Sequence, residues 1–216
     1  MGARKRSFAN NLTTSGVLQA AAVNNASLSG ITDIPSGAKG KLVLISTQTA
    51  SSDASISFTS GIDSTYKTYL FVYNFHSSAD AAQLGFQAST NGGSSYGVTT
   101  QSTNFIAIHN EADTDSYAGY QTSRDLTQST SYGLSTDGYG NDNDQNGVGE
   151  FWLFNPSSTT YVKHFIHNDH CNNANDYACR TLGTGYFNTT SAIDAIDFKF
   201  NSGNIDAGSI SMYGIA

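Results

Sequence analysis

Two clusters in this 216-residue chain carry side chains that ligate metals. The first is Asp142-Asn143-Asp144-Gln145-Asn146-Gly147, where oxygen-bearing side chains alternate at Asp142, Asp144 and Asn146 before a glycine. A Ca2+ loop uses this spacing because alternate side chains converge while glycine permits the sharp turn. The helix-flanked version of such a loop ends on a bidentate Glu, and Leu153 stands at that position here. Glu150 would have to complete the shell in a different geometry. A structural Ca2+ on Asp142, Asp144, Asn146 and Glu150 is therefore the one cofactor to test, against an acidic turn built from the same turn-forming residues.

The second cluster is His164, His167, His170, Cys171 and Cys179. Zn2+ takes such ligands in a tetrahedron, but this spacing matches no zinc pattern. If the segment is a strand, His164 and His167 point to opposite faces, which argues against a shared metal. Cys171 and Cys179 are close enough in sequence to close a small disulfide loop. A protein assembled in a reducing cytoplasm keeps its thiols, so free, partly buried cysteines are the expectation.

Catalytic signatures are missing. There is no nucleophile elbow, phosphate loop or dinucleotide fingerprint, and Gly37-Ala38-Lys39-Gly40-Lys41 has its glycines and lysines at the wrong spacing. Glu150, two residues from Trp152, is the most tempting acid, yet no motif supplies the second carboxyl a glycosidase needs. A non-enzymatic protein is expected. Binding chemistry is better represented. Tyr96, Tyr117, Tyr120, Tyr132 and Tyr139 fall in segments that read as loops, and exposed Tyr among Asn and Ser suits contact with sugars or proteins. Cross-strand or rim packing is the competing reading for each.

The elements that would position these residues are strands. Short apolar runs recur between turn signals at 41–47, 54–59, 66–75, 83–88, 104–109, 149–155, 160–167, 177–182, 196–200 and 209–213. In 66–75, Tyr69, Phe71, Tyr73 and Phe75 share one side, with Leu70 and Val72 on the other. Both sides are apolar, which predicts a central strand covered twice. The pattern predicts an all-β, two-sheet β-sandwich or jelly roll over 41–216. Residues 89–103, 110–125 and 135–148 are expected as exposed loops on that scaffold, where binding usually resides.

Composition agrees. Charged residues make up 12%, about half the usual share, so hydroxyls and amides coat the surface. The net charge of −7 argues against a nucleic-acid partner. No run of about 18 apolar residues exists, so no membrane insertion is expected. The start is basic, but Ser7 to Leu18 is too polar for the core of a signal peptide, and the mature protein is expected to begin near Met1. Residues 1–40 cannot bury a core of their own. They read as an extended N-terminal anchoring arm, with Arg4, Lys5 and Arg6 for an acidic partner and Phe8, Val17 and Leu18 as apolar contacts. A plain solvated tail is the alternative.

Several stretches resemble a group of uncharacterised structural, tail- and fibre-type proteins of marine bacteriophages, especially those infecting cyanobacteria. They are Asn24 to Pro35, Leu42 to Tyr73, Leu153 to His164, Gly185 to Ala195 and Ser202 to Ile215. The resemblance implies a virion component of the tail, baseplate or fibre apparatus, assembled in the host cytoplasm, and it transfers no catalytic residue. The expected partners are further copies of the chain (a homotrimer), other virion proteins through the arm, and a host surface glycan through the loops. A capsid decoration protein and a jelly-roll carbohydrate-binding module are the alternatives, and a glycan depolymerase relying on Glu150 comes last.

Overall fold

The computed structural model describes residues 42–216. The expected arm over 1–40, with Arg4, Lys5, Arg6, Phe8, Val17 and Leu18, lies outside the described residues. The rest is β structure with one 3-10 turn at Thr122–Arg124. The strands are β1 (Leu42–Asp53), β2 (Ile56–Phe58), β3 (Thr68–Ser77), β4 (Leu84–Ser89), β5 (Thr100–Asn110) and β6 (Ser116–Tyr120), then β7 (Gly133–Leu134), β8 (Gly147–Phe154), β9 (Lys163–Asn172), β10 (Tyr177–Phe187), β11 (Ala195–Phe200) and β12 (Ile205–Ile215). Two antiparallel sheets form a sandwich: an eight-stranded one in the order β1-β12-β3-β8-β9-β10-β5-β6, and a four-stranded one in the order β2-β11-β4-β7.

Period-two alternation builds the interface between the sheets. Tyr69, Phe71, Tyr73 and Phe75 of β3 are buried, as are Phe151 and Leu153 of β8 and Phe165 of β9. Phe86 of β4 descends into this layer. Its ring centre lies 4.6 Å from that of Phe151 and 4.9 Å from that of Phe165. Phe198 of β11 meets Phe71 at 5.5 Å. Such offset and edge-on aromatic pairs add about 0.5–1.5 kcal/mol each beyond the area they bury.

The small sheet is covered on its outer face as well. Gln87 and Asp197 are buried there under residues 130–132. Gln87 Nε2 donates to the carbonyls of Thr130 (3.1 Å) and Ser131 (2.8 Å), and the Tyr132 hydroxyl donates to Asp197 at 2.8 Å.

Three expectations require correction. First, β3 is covered on one side only. Leu70 is buried, but Val72 is 43% exposed and Asn74 is open to solvent, because the four-stranded sheet covers a single face of the eight-stranded one. Second, 110–125 is not simply a loop, since Ser116–Tyr120 pairs with β5 as an edge strand. Third, much of 135–148 is interior. Ser135, Thr136, Tyr139, Gly140 and Gln145 are buried, and Tyr139 N–H donates to the Ala82 carbonyl at 2.8 Å. The segment seals one end of the sandwich.

Candidate functional site

On the outer face of the large sheet, outward side chains including Val72, Phe105, Val148, Ile166 and Leu182 are exposed. Cross-strand register sorts them into two neighbouring regions. Leu182 of β10 lies opposite Phe105 of β5, which lies opposite Tyr120 of β6. With Ile166 of β9 these residues line an apolar depression of about 440 Å3. All four are between 42 and 53% exposed. Nearer the middle of the sheet is a polar groove of about 780 Å3 that crosses β12, β3, β8, β9 and β10. Val72 lies opposite Glu150, Glu150 opposite Asn168, and Asn168 opposite Leu182. Asn168 Nδ2 donates to Glu150 Oε1 at 3.3 Å, and Arg180 Nε donates to Asn168 Oδ1 at 3.0 Å.

Beneath the groove, on the inner face, runs a chain of buried polar groups. The Tyr73 hydroxyl donates to Asp169 Oδ1. Asp169 Oδ2 lies 2.7 Å from His167 Nδ1, and His167 Nε2 lies 3.1 Å from Asn104 Oδ1. Asn104 Nδ2 donates to the Arg124 carbonyl at 3.0 Å, which turns its amide oxygen toward the histidine. Both imidazole nitrogens thus face oxygen atoms that can accept a hydrogen bond. Burial pushes the Asp169 carboxyl above its ordinary range, opposed by the hydrogen bonds from His167 and Tyr73. Burial likewise holds the Tyr73 hydroxyl well above its usual value. Glycines make room for the chain: a side chain at Gly149 would strike Asp169 and Tyr73, and one at Gly183 would strike His167 and Asn104. All four side chains of the chain are buried.

The sequence-derived candidates fall in different places. Tyr117 and Tyr120 are exposed on the edge strand β6, and the Tyr120 hydroxyl donates to Asp125. Tyr96 and Tyr132 are half-buried against the small sheet, and Lys199 Nζ sits 4.0 Å above the Tyr132 ring. Tyr139 is fully buried, its ring centre 5.1 Å from that of Phe200, and its hydroxyl has no partner among the described residues. It is a core residue rather than a contact residue, because the segment carrying it caps the core. The five tyrosines therefore do not form one surface.

Asp142, Asp144 and Asn146 are exposed, whereas Glu150 lies on the sheet face in the polar groove. Gln145 organises the turn: Asp142 N–H donates to Gln145 Oε1 at 3.2 Å, and Gln145 Nε2 donates to the Asn173 carbonyl at 3.3 Å. No group of three or more His, Cys, Asp or Glu side chains comes together to hold a metal among the described residues.

His164 and His170 are exposed and His167 is buried, as the alternation along β9 requires. Cys171 and Cys179 lie directly opposite each other on β9 and β10 as buried free thiols. The hydrogen bond between the two thiols, with burial, pushes the Cys171 pKa far up. Cys179 Sγ also lies 3.4 Å from Asp137 Oδ2, the carboxylate that pairs with Arg124.

The residues of the groove that went unforeseen are Asn74, Asn168, Arg180 and Tyr213. Only the pairing of strands distant in sequence brings them together. No known protein family matches the chain, and no curated protein or solved structure does either.

Proposed function

We propose that the protein is a non-enzymatic structural module of a bacteriophage virion, belonging to the tail, baseplate or fibre apparatus and working as one of several identical copies. The observation that carries this reading is the apolar depression of Phe105, Tyr120, Ile166 and Leu182 at the β6 side of the large sheet. Apolar clusters of this kind, rimmed by polar residues, mark contact sites for other protein surfaces. This one sits on strands, which hold it rigid. A symmetric oligomer, a homotrimer in this proposal, would bury it, and the arm over 1–40 would join the module to other virion proteins. The resemblance to phage structural proteins and the low charged content support the same reading.

Sedimentation velocity of the full-length chain tests it. The expected result is a trimer that shifts toward monomer in a Phe105→Ser/Leu182→Ser variant of unchanged melting temperature. A wild-type chain that stays monomeric across micromolar to high-micromolar concentrations would overturn the self-assembly part of the proposal.

A further inference from the structure

The polar groove beside the apolar depression has a composition that selects a ligand class. Its volume of about 780 Å3 falls within the roughly 300–1,000 Å3 typical of small-molecule sites. Val72 and Val148, which are 43% and 46% exposed, give its lining an aliphatic part. Its walls carry donors and acceptors in alternation. Asn74 Oδ1 accepts from Ser209 N–H at 3.1 Å, which fixes the amide, and its NH2 makes no protein hydrogen bond among the described residues. Glu150, Asn168 and Arg180 form a hydrogen-bonded line that leaves guanidinium donors and a carboxylate oxygen unused. Beyond His170 the polar surface continues to Asn172, whose Oδ1 is shielded from water and has no partner among the described residues. Tyr213 stands at the β12 side.

Several ligand classes fit badly. An apolar ligand would strand the amides and charges without partners. A polyanion meets Glu150 on a chain of net charge −7, with Arg180 already engaged by Asn168. Glu150 and Arg180 bear opposite charges, so together they favour no ion of either sign. What fits is a neutral molecule with hydroxyls in fixed directions and flat C–H faces between them.

We propose that this groove binds a neutral oligosaccharide. The sugar rings lie across the strands with C–H faces on Val72 and Val148. Their hydroxyls bond to Asn74, Glu150, Asn168 and Arg180, and Tyr213 offers a ring face at one end. The side chains stand on adjacent strands and are braced by one another, so little ordering is needed on binding. This inference deepens the attachment part of the reading above, because a host-surface glycan is the corresponding partner. It places recognition on the sheet face rather than on the loop tyrosines.

The test is isothermal titration calorimetry on the full-length protein with laminarihexaose, maltohexaose, mannohexaose and xylohexaose. Sugar binding is read as heat and assembly as sedimentation, so the two tests have separate readouts. At least one of the four is expected to bind. Asn168→Ala and Arg180→Ala are expected to weaken it about tenfold or more, the usual scale for a hydrogen bond to a charged group. Tyr161→Ser, an exposed position outside both the groove and the apolar depression, should leave the affinity unchanged. Melting curves establish that the variants are folded. Absence of binding to all four sugars overturns the proposal, and so does binding that survives both groove substitutions. A wild type that binds sugar but stays monomeric would uphold the groove and remove the trimer.

Discussion

His167 Nδ1 lies 2.7 Å from Asp169 Oδ2 in the interior of the sandwich, with both side chains 1% exposed. Two residues apart on one strand, they share a face, and neither can reach water. Removing one partner of such a pair leaves a buried polar group uncompensated, which costs about 1–3 kcal/mol. Asp169→Ala is expected to fall in that range in urea unfolding, since it strips acceptors from both His167 and Tyr73.

The same carboxyl predicts a pH dependence. Burial holds Asp169 above its ordinary value of 3.8, against the pull of His167 and Tyr73. The folded chain therefore keeps a proton that the unfolded chain has released. The associated stability is fully present below pH 3.8 and falls as pH rises through the raised folded value. The difference in unfolding free energy between wild type and Asp169→Asn, followed from pH 3.5 to 7, should decrease with pH. A difference that grows with pH would contradict this assignment.

Gly183 is expected to tolerate no side chain. A Cβ there would run into His167 and Asn104, and both are held by further hydrogen bonds. Overpacking of this kind costs about 1–3 kcal/mol. Gly183→Ala should lower the urea midpoint by a corresponding amount at unchanged m-value.

Cys171 and Cys179 should resist alkylation in the native state. Their mutual hydrogen bond and burial keep Cys171 in the unreactive thiol form, because only the thiolate attacks. Iodoacetamide at pH 8 followed by intact-mass measurement is expected to show no adduct on the native protein and one on each cysteine in denaturant. Rapid native labelling would place the pair at the surface.

The turn at Asp142 should be indifferent to Ca2+. Gln145 ties it to Asn173 and Asp176 through hydrogen bonds of its own. Asp142→Asn/Asp144→Asn should change stability by no more than about 0.5 kcal/mol, as for ordinary surface positions. Gln145→Ala should cost about 1–3 kcal/mol, the penalty for stranding buried partners. A melting temperature raised by millimolar Ca2+ and lowered by chelator would instead support a structural Ca2+ on Asp142, Asp144, Asn146 and Glu150.

All ten strands expected from apolar runs are present, because alternation and β-branched or aromatic content are local signals. Tyr69, Phe71, Tyr73 and Phe75 announce a buried face without any knowledge of their neighbours. Two strands escaped notice. Ser116–Tyr120 is short, has no strong alternation and borders Asp and Thr residues. Gly133–Leu134 is only a pair of residues. Tyr139 was misread because Gly, Asn and Asp surround it, and turn composition does not tell a solvated loop from one that plugs an open end. The groove was illegible for a different reason. Asn74, Glu150, Asn168 and Arg180 converge only once β3, β8, β9 and β10 have found their order, and that order is not a property of any one segment.

The interleaving of Tyr73, Gly149 and Asp169 in one row with His167, Gly183 and Asn104 in the next has a bearing on misfolding. Alternating hydrophobicity forbids a strand from slipping by one residue but is indifferent to a slip of two, which returns the same side chains to the same face. In this sheet a slip of two would move each glycine away from the bulky polar group it accommodates and bring a Cβ into that space. A slip of β9 would also part Asp169 from Tyr73 and His167 from Asn104. The polar chain thus discriminates against near-native misalignments that the apolar pattern alone would permit, in a sheet whose many long-range pairings make such errors easy to reach.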